Sequence, residues 1–277
     1  MKPANTVSIT LVNYDTKDLA LHCLKKIYDA EISVPFQIVF VDNKSASSEE
    51  TVEAVAEQFP EVVLLPQEEN LGYTKGLNVA VEASDAEYIF NINSDAVLEK
   101  GAIEKMIQYM QEHPEIGILG PQLLNFDGSI QESAYKFLTL EIAIYRRTIL
   151  GRLPFAQKKL ADFTMKNWDH NTIKEVDWIL GAAIMFRKDR SAEVGHLDED
   201  MYLYLSDTYF AWQMWEKGYT VVYYPEVKLY HYHRKSSRDQ FFLKKLFFNR
   251  AYRIHIKDGI EYFKKIWGKE NPHITNS

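Results

Sequence analysis

Three apolar stretches of the sequence end abruptly in polar side chains. They are VSITLVNYD, which ends in Asn13-Tyr14-Asp15, FQIVFVDN, which ends in Asp42-Asn43, and YIFNINSD, which ends in Asn93-Ser94-Asp95. Amides and carboxylates at the tip of a buried strand add little to packing but are well placed to bind a ligand. Each tip could instead cap the helix that follows it, but together the three favour a shared site.

The elements that would position these tips alternate along the first half of the chain. Predicted strands cover 7–14, 36–43, 62–67 and 88–94, and predicted helices cover 18–30, 48–59, 72–83 and 101–112. Strands separated by single helices need crossover connections, so they pair in parallel and form a sheet covered on both faces. Their carboxyl ends then share one edge, and the three polar tips converge on one crevice.

The second half has a less regular pattern. Residues 116–125 and 177–189 resemble strands, and 220–232 resembles an extended edge segment. About 50 residues between the first two lack a clear period, and such a long loop is usually functional or flexible. The tail from Asp239 is basic and aromatic, and we expect one or two helices there, broken near Gly259.

Composition bounds the class of protein. The chain has 277 residues, of which 46% are hydrophobic, which favours a single α/β domain with appendages. The one cysteine, Cys23, excludes an intramolecular disulfide and favours a reducing compartment. The N-terminus lacks an apolar leader, and no apolar run reaches the roughly 18 residues that span a bilayer. The sequence therefore predicts a cytoplasmic protein.

The charge is distributed unevenly. The net charge is −7, yet residues 234–269 contain 11 Lys and Arg against 3 Asp and Glu. The rest of the chain is strongly acidic, and this argues against a nucleic-acid partner. The basic tail is either a terminal helix packed on the core or an interfacial helix that brings the protein to the inner face of the cell membrane.

The sequence lacks the usual devices for holding phosphate. A dinucleotide site needs G-x-G-x-x-G at the first strand–helix turn, which here reads NYDTKD, and a P-loop is also absent. An aspartate at a strand end that holds Mg²⁺ or Mn²⁺ against a diphosphate would replace them, because hard cations prefer carboxylate and phosphate oxygens.

Seven blocks follow one another along the chain: VSITLVNYD, IVFVDNKSAS, ENLGYTKGLNVAV, YIFNINSDAVLEKGAIEKM, EIGILGPQLLN followed by DGS, VDWILGAAIMFRKD, and VGHLDEDMYLYLSDTYFAWQMWEKGYTVVYYPEVKLYHY. In this order, over residues 7–237, they resemble the inverting family 2 nucleotide-sugar glycosyltransferases of the GT-A fold, particularly their bacterial rhamnosyltransferase-like branch. The resemblance implies an α/β fold with a mostly parallel central sheet flanked by helices. It also implies a GT-A domain at 1–237, with a nucleotide-binding half (1–115) and an acceptor-binding half (116–237), and a basic aromatic helical tail at 238–277.

The resemblance also implies a donor site. Asp42 would bond the uracil or thymine edge, with Asn13, Tyr14 and Asn43 framing the base. Asn70, Gly72 and Lys75, together with Asn78, would line the nucleotide pocket, and Asn93-Ser94-Asp95 would be the D-x-D-like motif. Asp95 and His231 would bind the metal, and a histidine ligand would suit Mn²⁺ better than Mg²⁺. Arg234 and the following Lys235-Ser236-Ser237 could contact the diphosphate, and the sugar pocket is expected near Trp178, Gly181 and Ala182.

On the acceptor side, the resemblance implies that Asp207 is the catalytic base and that Trp178 helps to bind the acceptor. An E-D-x-D-type block here reads Ser206-Asp207-Thr208-Tyr209, so both flanking acids are replaced. A neighbouring carboxylate tends to raise the pKa of a base, so we expect Asp207 to be a weaker base. Asp198, Glu199 and Asp200 are alternatives, unless they form a solvated turn.

The activity implied is transfer of a sugar, with inversion, from a nucleoside diphosphate to a hydroxyl of a surface polysaccharide or polyprenyl-linked glycan. The branch suggests dTDP-rhamnose as donor, with UDP-sugars as alternatives, and a homodimer is a further candidate assembly. A catalytically degenerate nucleotide-sugar or glycan-binding protein is the rival interpretation. A nucleotidyltransferase would need a glycine-rich, Arg-containing loop after the first strand, and NYDTKD is not one.

Overall fold

The first half of the chain folds as the alternation predicts. The computed structural model describes residues 5–232 and 250–275, so Arg234 and Lys235-Ser236-Ser237 lie outside the described residues. The elements of this half are β1 Asn5–Asn13, α1 Lys17–Asp29, β2 Phe36–Asp42, α2 Ser48–Gln58, β3 Val63–Pro66, α3 Tyr73–Ala83, β4 Ala86–Ile92, β5 Ala96–Val97 and α4 Ala102–Glu112.

The second half contains more regular structure than predicted. Its elements are β6 Ile116–Leu124, β7 Ala134–Tyr135, α5 Leu140–Arg147, a 3₁₀ turn Ile149–Arg152, α6 Pro154–Phe163, β8 Lys174–Glu175, β9 Trp178–Ile179, β10 Ala183–Arg187, α7 Lys188–Val194, α8 Ser206–Glu216, β11 Thr220–His231, α9 Arg250–Ile266 and α10 Pro272–Thr275. The stretch without a clear period thus includes two helices. They were missed because few of their side chains are buried, Ile142 in α5 and Ala156 with Phe163 in α6, so no apolar stripe marks them.

Within the described residues, a nine-stranded sheet organises both halves, with the order β3-β2-β1-β4-β10-β6-β11-β5 and β8 paired to β11. Strands β1 to β4 pair in parallel, as do β6 and β11, while β10 runs antiparallel between β4 and β6. The α/β class and the mostly parallel central sheet flanked by helices are confirmed.

Apolar side chains fill both faces of this sheet. Along β10, Met185 joins the cluster under α1 and α4, and its neighbours Ile184 and Phe186 join the cluster under α8. This alternation follows from the two-residue period of a strand. Cys23 is buried in the first cluster and is not in a disulfide. Within residues 5–232 and 250–275, no helix combines the length and hydropathy needed to cross a bilayer.

The prediction that 220–232 is an edge segment is wrong. β11 lies between β6 and β5, and residues Val221 to Pro225 form an unbroken buried run, which is typical of an interior strand. Its register against β6 shifts between Tyr224 and Lys228, so Pro225 lies at an irregularity where its missing N–H leaves no gap in the ladder.

Residues 177–189 do not form one strand either. β9 pairs with β7 in a separate two-stranded sheet, and β10 joins the main sheet. Leu180, Gly181 and Ala182 connect the two. The backbone groups of Gly181 are consequently available for contacts at the crevice.

The described part of the tail packs on the core. The prediction of a break near Gly259 is wrong, because α9 is continuous from Arg250 to Ile266. A glycine inside a helix costs about 1 kcal/mol relative to alanine, which the packing of a long helix outweighs. Asp258 and Tyr262 on α9 are fully buried. The division into 1–237 and 238–277 stays a prediction.

Candidate active site

The three polar strand tips meet at one edge of the sheet. The Asn13 amide donates to Asp42 Oδ2 at 2.8 Å, because Asn13 and Asp42 are register partners of β1 and β2. Thr16 Oγ1 donates to Asn13 Oδ1 at 2.7 Å and lies 2.9 Å from Ser94 Oγ. A chain of hydrogen bonds therefore runs from β2 through β1 to the residues after β4.

Asp42 is fully buried and its oxygens are occupied by protein donors. Oδ2 accepts from Asn13 and from Ser45 Oγ at 2.8 Å each, and Oδ1 accepts from Ser48 Oγ and the Ser45 N–H. A carboxylate has about four lone-pair positions. A nucleobase could therefore bond Asp42 only after Ser45 or Ser48 rotates away.

Asn43 and Asn70 organise the loop that precedes α3. The Asn43 amide nitrogen donates to Gly72 O at 2.9 Å, and its oxygen accepts from the Leu71 N–H at 2.9 Å. Asn70 Oδ1 accepts from the Gly72 N–H at 2.9 Å and from Tyr202 OH at 2.7 Å. Both amides thus shape the crevice wall.

Gly72 is required by its backbone and by its neighbour. Its φ of +84° is in the region that favours glycine, and a Cβ there would lie 2.5 Å from the Tyr202 ring. Lys75 is exposed on the first turn of α3, and Tyr14 is 44% exposed beside Asn13. The side-chain amide of Asn78, which was expected in this pocket, donates to Leu197 O at 2.8 Å and accepts from the Leu197 N–H at 3.2 Å, and its place in the pocket stays a prediction.

Asp95 and His231 face each other because β5 pairs with the end of β11, where His231 is the register partner of Ala96. Asp95 Oδ1 lies 3.2 Å from His231 Nε2, and the Asp95 side chain is 25% exposed. His231 Nδ1 lies 2.7 Å from Gln131 Oε1, which fixes the ring with Nδ1 as the donor.

This pair fits a divalent cation. With Nδ1 as the donor to Gln131, Nε2 of His231 and the Asp95 carboxylate oxygen are both groups that can ligate a metal. Adjacent ligands of an octahedral ion with bonds of about 2.1 Å lie about 3 Å apart, close to the separation seen here. Among the described residues, no group of three or more His, Cys, Asp or Glu could hold a metal. A cation at this pair would need further ligands from outside these residue types.

Asp207 lies at the start of α8, against the connection between β9 and β10. Its Oδ2 accepts from the Gly181 N–H at 2.9 Å, and its Oδ1 accepts from the Thr208 N–H at 2.8 Å. Burial raises the pKa of the Asp207 carboxyl, although these hydrogen bonds oppose the rise. The expectation of a weaker base considered only the missing carboxylate neighbours, and the burial of Asp207 acts in the opposite direction.

Tyr73 connects the two halves of the crevice. Its hydroxyl lies 3.3 Å from both Asn93 Oδ1 and Gly181 O and accepts from the Asn91 amide at 2.8 Å. Burial raises the pKa of Tyr73, and the charges of Asp207 and Asp95 both add to that rise. The Tyr73 hydroxyl thus connects Asn93, two residues before Asp95, with Gly181, whose N–H binds Asp207.

Trp178 supports the wall of this region. It is 6% exposed, its ring stacks on Tyr135 at 4.5 Å, and its indole N–H donates to Lys136 O at 2.8 Å. Its one polar hydrogen is therefore already used within the protein.

The alternative acids have structural partners. Lys265 on α9 lies 2.6 Å from Asp198 and 2.8 Å from Asp200, and Glu199 accepts from the Asn78 amide at 3.0 Å. The hydrogen bond and charge of Lys265 lower the pKa of Asp200, which makes it a poor base.

Four residues at the crevice were missed from the sequence: Tyr73, Gln131, Tyr202 and Asp258. The Asp258 carboxylate accepts the backbone N–H groups of Tyr202, Leu203 and Tyr204 at 3.0, 2.9 and 2.9 Å. It thus fixes the loop that precedes Asp207. The sequence signal for Asp258 was an acidic residue within an aromatic, basic helix. Acidic residues are rarely buried unless they are paired.

Known proteins resemble the chain in both sequence and structure. A rhamnosyltransferase of Mycobacterium tuberculosis, N-acetylglucosaminyl-diphospho-decaprenol L-rhamnosyltransferase, is 26% identical over 216 residues, covering 73% of this chain and 68% of its own. The amylovoran biosynthesis glycosyltransferase AmsE of Erwinia amylovora is 25% identical, covering 80% and 73%.

Among solved structures, a mannosyltransferase from Pyrobaculum calidifontis in complex with GDP-Man and Mn²⁺ aligns with a TM-score of 0.61 at 16% identity, over 98% of this chain and 68% of that one. GalNAc-T7 with UDP, GalNAc and Mn²⁺ aligns with a TM-score of 0.57 at 13% identity, over 82% of this chain but only 44% of that one. At these sequence identities, the similarity to both structures shows a shared fold and nothing more.

The sequence profile named glycosyl transferase family 2 matches residues 8–169, more than half of the chain. The match includes the three strand tips and the loop before α3 described above. The chain therefore belongs to glycosyl transferase family 2.

Proposed function

We propose that this protein transfers a sugar, with inversion, from a nucleoside diphosphate to a hydroxyl of a glycan acceptor. The observation that carries the proposal is the set of contacts of the Tyr73 hydroxyl, with Asn93, close to the Asp95–His231 pair, on one side and Gly181, which binds Asp207, on the other. A single displacement needs a group that neutralises the leaving diphosphate and a base behind the acceptor hydroxyl. Asp207 would supply the base, and Asp95 with His231 would hold a cation that neutralises the diphosphate.

Asp207 is the proposed base. Its hydrogen bonds to the Gly181 and Thr208 N–H groups hold the carboxylate in one orientation. The pKa raised by burial strengthens it as a proton acceptor. As the acceptor oxygen forms its bond to the anomeric carbon, its proton passes to Asp207, and the bond to the diphosphate breaks on the opposite face of the sugar.

Asp95 and His231 are the residues proposed to hold Mn²⁺ or Mg²⁺. When bound, such an ion supplies positive charge to a leaving diphosphate. Gln131 keeps the His231 ring turned towards Asp95. Arg234, outside the described residues, remains a proposed diphosphate contact.

The nucleotide is proposed to bind over the tips of β1 and β2, with Tyr14 as an exposed aromatic face for the base and Lys75 at the rim. Recognition of a pyrimidine edge by Asp42 would require one serine hydroxyl to leave it. The proposed donor site therefore rearranges when nucleotide binds.

Rhamnose is the proposed sugar, with dTDP-rhamnose as donor, and the proposed acceptor is a lipid-linked glycan. This part rests on the relative from Mycobacterium tuberculosis, whose name states both a rhamnosyl group and a diphospho-decaprenol carrier. An acceptor of this kind lies at a membrane, so we also propose peripheral membrane contact.

The test is transfer from dTDP-rhamnose, with UDP-sugars in parallel, to a lipid-linked N-acetylglucosamine acceptor with and without Mn²⁺. Asp207→Asn should lower turnover by about 10²–10⁴-fold while donor affinity is kept. Asp200→Asn is the matched control, since it removes an acid of the same region that pairs with Lys265. Near wild-type turnover in Asp207→Asn would refute the proposed base.

A further inference from the structure

A cluster of large apolar side chains lies exposed on one side of the second half. Six of them fall within sixteen consecutive residues. They are Leu140, Ile144, Ile149, Leu150, Leu153 and Phe155, with exposures from 40% to 76%. Ile260 of α9 and Trp267 are 52% and 79% exposed. We call these eight side chains the basic apolar surface, because Lys and Arg residues are interspersed among them in the sequence.

The exposure of this surface is fixed by packing. Ile149 is the first residue of the 3₁₀ turn, and Gly151 packs so closely on Tyr145 that a Cβ would overlap the Tyr145 carbonyl oxygen. The Gly151 N–H donates to Thr148 O at 3.2 Å, and the Leu153 N–H donates to Leu150 O at 3.1 Å. A hydrogen-bonded turn therefore holds Ile149 and Leu150 outward.

Helix α9 extends the surface with one of its two faces. Asp258, Tyr262 and Lys265 face the core, whereas Ile260, Lys264 and Trp267 face outward at the same helical spacing. The outward side chains and Phe263 line a groove of about 480 Å³ against Leu140 of α5. The two helices thus form one continuous apolar face.

The same surface is positively charged, although the protein is acidic. Residues 140–159 contain five Lys and Arg against one acid, Glu141, in a chain whose net charge is −7. Arg147 lies over the Tyr252 ring of α9 at 5.4 Å, and Arg152 and Lys158 are exposed. Exposed apolar groups surrounded by cations are typical of a surface that binds anionic lipid.

We propose that the basic apolar surface docks on an anionic phospholipid bilayer. Ile149, Leu150 and Phe155 would enter the headgroup boundary, with Trp267 at the interface and the arginines on lipid phosphates. The proposal rests on the proposed function for its purpose, since a lipid-linked acceptor must be reached at a membrane. The proposal places the main membrane contact on α5, the 3₁₀ turn and α6, and not on the tail alone.

Two other occupants are less consistent with the charges. A second copy docked about a two-fold axis would place the same basic patch against itself, and like charges would repel. Residues 233–249 of this chain are basic as well, with Arg234, Lys235, Arg238, Lys244 and Lys245 against Asp239. An anionic lipid layer complements all of these groups.

The test is flotation of the full chain with two kinds of vesicle, phosphatidylcholine alone and phosphatidylcholine with an equal part of phosphatidylglycerol. We expect binding to the anionic vesicles that weakens with salt. Ile149→Asp and Phe155→Asp should each lower partitioning about tenfold or more, because each removes a large apolar group from the interface. Ile173→Asp, at a comparable exposed apolar side chain elsewhere, is the matched control and should bind as wild type.

Transfer to a water-soluble acceptor separates this proposal from the proposed function, because the surface variants should keep that activity. Absence of vesicle binding in wild type, or equal binding by the surface and control variants, would overturn the docking surface. So would loss of binding only when the lysines of residues 233–249 are replaced. Sedimentation equilibrium in which Ile149→Asp converts a dimer into a monomer would assign the surface to a second copy instead.

Discussion

Replacing Asp258 by asparagine tests whether α9 positions the active site. Asp258 is fully buried, with Oδ1 accepting the Tyr202 N–H and Oδ2 accepting those of Leu203 and Tyr204. Asparagine has one accepting oxygen, so at least one N–H would face the new amide group. An unsatisfied buried donor costs about 1–3 kcal/mol, and the remaining bonds lose their charge. We expect unfolding free energy to fall by about 2–4 kcal/mol.

Activity should fall by more than the loss of folded protein alone would cause. Tyr202 packs on Gly72 and bonds Asn70, and the same loop leads into Asp207. Displacing it should raise KM for the donor and lower kcat in the protein that remains folded. Denaturant unfolding and donor-dependent kinetics measure the two effects separately. Glu261→Gln, on the same helix and paired only with Lys264 in the described contacts, is the control and should change stability by less than about 1 kcal/mol.

If Asp258→Asn loses stability but keeps wild-type KM and kcat per folded molecule, the carboxylate is structural and its positioning role is refuted.

The remaining predictions address the crevice itself. Burial raises the pKa of Asp207, and only its ionised form accepts a proton. We therefore expect kcat/KM to fall as the pH drops through this raised pKa, at a higher pH than for an exposed aspartate. A pH profile without this acidic limb would contradict the assignment. Gly72→Ala should destabilise the fold more than Gly218→Ala, since both have φ above +80° but only Gly72 faces the Tyr202 ring; equal melting temperatures would contradict this. His231→Gln should raise the Mn²⁺ concentration needed for half-maximal transfer by about 10–100-fold, and an unchanged metal titration would remove His231 from the site.

The strand tips could be predicted because they depend on local sequence. A buried strand followed by Asn or Asp is visible without knowing the fold, and crossover helices force such tips to one edge of the sheet. The pairing of Asp95 with His231 could not be derived in this way. It depends on β5, a strand of two residues that pairs with β11 more than a hundred residues later.

Long-range contacts account for the other differences. Tyr73 and Tyr202 resemble ordinary aromatic residues of an amphipathic segment until Gly181 and Asn70 are placed beside them. The basic apolar surface was missed because its helices bury few side chains, so they lack the period that marks a core-facing helix. Asp207 was found, but its pKa depends on burial that neighbouring residue types alone do not reveal.

The most direct measurement is a crystal structure of the protein with Mn²⁺ and a non-transferable nucleotide-sugar analogue, with anomalous diffraction to locate the ion. We predict manganese on the Asp95 carboxylate and His231 Nε2, with the diphosphate on the ion and the open face of the anomeric carbon towards Asp207. Manganese bound away from Asp95, or a sugar whose anomeric carbon faces away from Asp207, would contradict the account.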